Sequence, residues 1–197
     1  MPRKYEQRQR AQKTTETRQR IVQAAVELHG ILGPARTTVS AIAERAGLRR
    51  ATVYEHFPDE RALFDACTRH YFDANPPPDL RAWAAIPDPL ARLAHALEET
   101  FAYHRRTEPM MSLVHRDAEL VPVMFEVQVA REQERHWQEA LDVLLQPWHV
   151  PEERRTALRA AVQHALEFQT WRSLVRSCGL SEAQAVDLMV RLASCST

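Results

Sequence analysis

A chain of 197 residues, 45% hydrophobic and 26% charged, has the composition of a globular protein and not of a disordered one. No apolar run approaches the roughly 18 residues a membrane-spanning helix needs, and no apolar segment follows the basic start MPRKYEQRQRAQK, so a cytoplasmic location is expected. The net charge of zero hides an asymmetry: residues 1–70 hold 13 Lys+Arg against 8 Asp+Glu, and the remainder 13 against 18, which suggests a polyanion-binding front half.

With only four glycines and apolar residues recurring at three and four, the chain reads as all-α, with about nine helices. A basic arm, residues 1–14, carries Arg3, Lys4, Arg8, Arg10 and Lys13, and is expected to track the backbone, or enter a groove, of a polyanion. The first helix is expected to begin near Thr15, with Ile21, Ala25 and Leu28 on one face, and to end before Gly30. Thr38 is a suitable N-cap for a short second helix that Gly47 ends. A third of two turns covers Arg50 to His56, burying Val53 and Phe57, and a fourth runs from after Asp59 to about Phe72.

The stretch NPPPDL at 75–80 cannot continue a helix, because proline lacks the amide donor and restricts the residue before it. It divides a front domain, residues 15–73, from a second helical domain, residues 74–197. Five further helices are expected near 88–106, 109–117, 120–146, 151–177 and 182–195, the last opened by a capping box of Ser181 and Gln184. Leu158, Val162, Ala165 and, on the last helix, Val186, Met189, Val190 and Ala193 form apolar stripes that suit either an internal core or a dimer interface, and a homodimer through these two helices is the expectation.

Residues 37–64 carry the functional signal: a short helix, a turn containing Gly47, and a second short helix tipped by Arg49 and Arg50. In a helix-turn-helix the second helix enters the major groove and its N-terminal residues meet base edges, where arginine can bond guanine O6 and N7 together. This stretch closely resembles the DNA-binding domain of the TetR family, with Thr38, Val39, Ile42, Ala43, Ala46, Gly47, Thr52, Tyr54, His56, Phe57 and Leu63 in matching places. The resemblance covers about residues 15–65. It implies that Thr52, Tyr54 and His56 bond phosphates while Ser40, Arg50 and Ala51 face bases; Thr38 and Arg49 complete the expected DNA-binding set. Two residues depart from the family pattern. Arg49 replaces a capping serine, and Glu60 stands where lysine is usual, which repels DNA.

The expectation is thus a homodimeric regulator, a repressor, that grips palindromic operator DNA and is released by a small organic effector; the alternative is a ligand-insensitive regulator or activator with the same helix-turn-helix. Candidate effector-pocket residues are Trp83, Tyr103, Met110, Met111, His115, Met124, Phe125, Trp137, Phe168 and Trp171, since methionines and flat aromatics accept varied apolar ligands. Cys67, Cys178 and Cys195 have no CxxC spacing, no HExxH occurs among nine histidines, and no GxSxG or phosphate loop is present, so neither a metal, a cofactor nor an enzyme activity is expected.

Overall fold

The computed structural model describes residues 2–195, with side chains from residue 6 onward. Every regular element among them is helical: α1 (Pro2–Leu32), a 3₁₀ turn (Pro34–Arg36), α2 (Val39–Ala46), α3 (Arg50–His56), α4 (Glu60–Ala74), α5 (Leu80–Ala84), α6 (Pro89–Asp117), α7 (Val123–Glu126), α8 (Gln128–Leu145), α9 (Glu152–Leu166), α10 (Phe168–Arg172), a π turn (Ser173–Ser177) and α11 (Glu182–Cys195). None is long and apolar enough to cross a membrane.

Among the described residues eleven α-helices stand where about nine are expected. The first helix begins at Pro2, not near Thr15, because Gln, Arg, Lys, Glu and Ala sustain a helix by propensity without any apolar period to announce it. It also runs through Gly30, where an added Cβ would meet Met110 only at ordinary packing distance, and stops at Gly33, where φ is 90°. Pro109 does not open a helix but sits inside α6. Conversely, extended backbone at Val127 and Glu167 splits the two long helices expected at 120–146 and 151–177. A short helix, α5, follows the proline run, capped by the Asp79 carboxylate accepting from the Arg81 N–H at 3.0 Å.

The chain forms two compact units. The first holds everything up to Asn75 together with Pro109–Glu132; the second holds Pro76–Glu108 and the chain from Gln133 onward. In the first unit, Ile21 and Ala25 of α1 pack on Ile42, Ala43 and Ala46 of α2, Val53 of α3, Phe57, and Leu63 and Cys67 of α4. Burial there pushes the Cys67 thiol up to about 12. A smaller cluster joins Phe64 to Met124 and Val127.

His29 is buried in the first unit with its ring stacked on Phe64 at 5.3 Å, and desolvation lowers its pKa to about 4. Between pH 6.5 and 4 the unfolded chain therefore binds a proton that the folded one refuses, so stability falls as pH drops through that window. At pH 5 the expected loss is about 2 kcal/mol. Urea unfolding at pH 7 and pH 5 measures it; His29→Leu should flatten the difference, and an equal slope in both proteins would assign it elsewhere.

In the second unit, Leu93, Leu97 and Phe101 of α6, Leu141 and Leu144 of α8, Leu158 and Val162 of α9 and Trp171 of α10 are fully buried. Arg92 is buried too. Its guanidinium donates to the carbonyls of Ile86 and Val143, each at 2.7 Å, and of Ala84 at 3.2 Å, so the charge ties down the chain after α5 and the last turn of α8. α11 begins on the expected capping box: Ser181 N–H donates to Gln184 Oε1 at 2.9 Å and Gln184 N–H to Ser181 Oγ at 3.2 Å.

Candidate nucleic-acid interface

The turn between α2 and α3 depends on Gly47, whose φ of 64° lies in the left-handed region and whose N–H closes α2 on the Ala43 and Glu44 carbonyls. At the other end of α2, Thr38 accepts from the Ala41 N–H at 3.1 Å, so this side chain is engaged as a cap. α3 is anchored by burial of Val53 within it and Phe57 after it. With that face fixed inward, Arg49, Arg50, Ala51 and Tyr54 are exposed, while Thr52 and His56 are half-buried at its flanks. Ser40 is exposed in the first turn of α2.

Arg49 holds the N-cap position of α3 without any side-chain cap, and the first turn is closed through the backbone alone, the Thr52 N–H donating to the Arg49 carbonyl at 3.0 Å. Arg50 donates to the Tyr54 hydroxyl at 2.9 Å, and its guanidinium lies 5.4 Å from the centre of that ring. The pair, one turn apart, holds a charged fork and a phenol together on the open face. Glu60 is exposed in the first turn of α4, beside a groove lined by Thr37, Leu120 and Val123.

Three supports for this face were not legible from spacing. The Arg18 guanidinium covers the Phe57 ring at 4.4 Å, Arg20 donates to the Ala46 carbonyl, and Arg45 pairs with Glu27 at 2.7 Å, which holds the Glu27 carboxyl below its usual range. All reach from α1 to the two shorter helices. Their only sequence signal is charge on the flank of an apolar stripe, and most such charges meet only water.

Of the pocket candidates, Met110, Met111, His115, Met124 and Phe125 belong to the first unit and Trp83, Tyr103, Trp137, Phe168 and Trp171 to the second. Met124 is core, His115 and Phe125 are exposed, and Met110 and Met111 are half-buried. Trp83 is buried and donates to Glu99 at 2.5 Å. The other four surround His104, a residue that the sequence reading passed over, with ring centres 5.6 to 6.1 Å from it. His104 Nε2 lies 2.9 Å from the Leu166 carbonyl. Beside this cluster the indole N–H of Trp171 and, one turn before His104, the Thr100 hydroxyl are buried with no hydrogen-bond partner.

The expected interface residues Leu158, Val162, Ala165, Val186, Met189 and Ala193 are buried within the chain itself, where α9 packs on α11, and Val190 is half-buried. Leu188 and Leu192, one turn apart on the other side of α11, are each 43% exposed.

A two-turn helix pinned by its apolar face behind a glycine turn, its basic tip uncapped and open, defines a helix-turn-helix DNA-binding domain. Residues 21–67 match the family described as bacterial regulatory proteins, tetR family. The chain is similar to the HTH-type transcriptional regulator AcrR of Shigella flexneri, at 33% identity over 129 residues that make up 63% of this chain and 60% of that protein. The likeness thus spans less than two thirds of that relative's length. Among solved structures, a tetR-family transcriptional regulator from Streptomyces coelicolor shares the fold over 92% of this chain and 80% of its own, at TM-score 0.62 and 19% identity. The multidrug binding protein EbrR complexed with imidazole does so over 90% and 89%, at TM-score 0.54 and 22% identity.

Proposed function

We propose that this chain is a transcriptional regulator, a repressor, that binds a palindromic operator as a homodimer and is released by a small organic effector. The observation that carries DNA reading is the open tip of α3, with Arg49, Arg50, Ala51 and Tyr54 outward and Val53 and Phe57 locked inward. On this reading Arg50, Ala51 and Ser40 meet bases, and Thr52, Tyr54 and His56 fix register on phosphate. The Thr38 side chain serves as the N-cap of α2, and Arg49, at the uncapped start of α3, meets phosphate.

Two recognition helices about one turn of DNA apart require two copies of the chain. Because the stripes on α9 and α11 are consumed internally, the dimer face is assigned to the side of α11 that exposes Leu188 and Leu192. The effector is assigned to the aromatic group around His104, where the unpartnered Trp171 N–H and Thr100 hydroxyl call for an acceptor and a polar edge on an otherwise flat apolar molecule. EbrR, a fold neighbour, is a multidrug binding protein. Release is a population shift: the effector favours a conformation whose reading heads misfit adjacent grooves, and only by binding that conformation more tightly.

Selection of bound duplexes from random DNA tests the whole reading. The expected product is a two-fold symmetric site, with enrichment abolished when Leu188→Asp and Leu192→Asp are combined and the chain sediments as a monomer. Recovery of no preferred sequence would refute DNA reading, and a monomeric unaltered chain at micromolar concentration would refute the dimer.

A further inference from the structure

The front half of the chain owes its positive charge to its first 20 residues, which hold seven Lys+Arg and two Glu. Residues 21–70, which include the entire helix-turn-helix, hold six of each sign. A neutral reading head gains little from counterion release, the term that supplies most non-specific affinity for DNA.

The charged segment is not a loose arm but the first half of α1, continuous with the helix that the domain packs against. Residues 6–16 are exposed and, apart from Ala11, polar on every side. An isolated helix of that length is marginal in water, and one that is polar all round has no intramolecular face to bury. Where it joins the domain it is bound to the helix-turn-helix at two places: Arg18 covers Phe57 after α3, and Arg20 holds the Ala46 carbonyl at the end of α2. At 100° per residue, the stripe that carries Arg18 and Ala25 continues through Thr14, Ala11 and Gln7, with Arg8 on one flank and Arg10 on the other. Lys13 and Glu16 fall on the far side, and Glu6 stands one turn from Arg10. A stripe of small and neutral residues between two arginines allows close approach to a rail of phosphates.

We propose that the first half of α1 is a second DNA contact, a helical extension that lies against the phosphate backbone of the duplex flanking the bases read by α3, with Arg8 and Arg10 as its phosphate ligands. The proposal rests on the DNA-binding reading above. Residues 6–17 span about 18 Å, the length of about 5 base pairs.

The test compares the full chain with Arg8→Ala/Arg10→Ala on one selected duplex, by hydroxyl-radical footprinting and by affinity at four salt concentrations. The expected result is a slope of log affinity against log salt shallower by about 1.8 per bound protomer, loss of about 5 protected base pairs at each outer flank, and an unchanged base preference. Arg8→Lys/Arg10→Lys, which keeps both charges, should retain slope and footprint. A slope and footprint equal to wild type in the alanine variant overturn the extension while leaving reading by α3 intact, and so does equal loss in the lysine variant. Failure of the unaltered chain to bind any duplex overturns both.

Discussion

Arg50→Ala is expected to weaken binding to the preferred site by about 1 to 3 kcal/mol and to relax preference at one base position per half-site. Arg50 is exposed in the first turn of α3, and its guanidinium is already steered by the Tyr54 hydroxyl 2.9 Å away. A fork held before binding loses less rotamer freedom on meeting guanine, so part of the Arg50 effect belongs to the pair. Tyr54→Phe should therefore weaken all sequences through loss of a phosphate donor, and in combination with Arg50→Ala should cost less than the sum of the two. Competition binding against duplexes substituted one position at a time reads both quantities. An unchanged base profile for Arg50→Ala would remove Arg50 from the reading set, and strict additivity would show that the bond to Tyr54 does not persist on DNA.

Gly33→Ala is expected to destabilise the chain by about 3 kcal/mol or more. Gly33 is buried with φ 90° and ψ 158°, a region that is essentially closed to residues with a Cβ. A methyl group there would also overlap the Arg116 guanidinium and the Asp117 carboxylate. Those two groups form a clamp. The Asp117 carboxylate accepts from the Ala35 N–H at 3.0 Å and from Arg116 at 2.7 Å, while Arg116 also donates to the Leu32 carbonyl at 2.7 Å. The arginine beside it holds the Asp117 carboxyl below its usual range, so displacing this partner leaves a buried charge short of compensation. Urea unfolding at pH 7 measures the loss. A change under 1 kcal/mol would mean that the clamp yields at little cost and that the backbone here relaxes.

The helix-turn-helix was readable because its constraints are local. Thr38 as cap, Gly47 as left-handed stop, and Val53 and Phe57 as inward residues each follow from neighbours within a few positions, and the structure shows α2 and α3 where these signals place them. Where local signals compete with packing, the reading fails. Pro109 could open a helix or lie within one, and only the structure shows it inside α6. The exposed first half of α1 escaped notice for the opposite reason: with no apolar period, propensity was the only sign of its helix.

By itself the sequence determined the all-helical class, the position of the helix-turn-helix and the residues on the outer face of α3, because each depends on backbone chemistry and on short-range periodicity. Only the tertiary structure decided which apolar stripes meet inside the chain. An apolar face shows that Val186 and Met189 must be covered, but not by what; that α9 covers them, leaving Leu188 and Leu192 outward, depends on contacts some 25 residues apart along the chain that no spacing rule encodes. The same holds for the aromatic group around His104, which is assembled from three helices, and for the clamp that joins Asp117 to Ala35 across 82 positions.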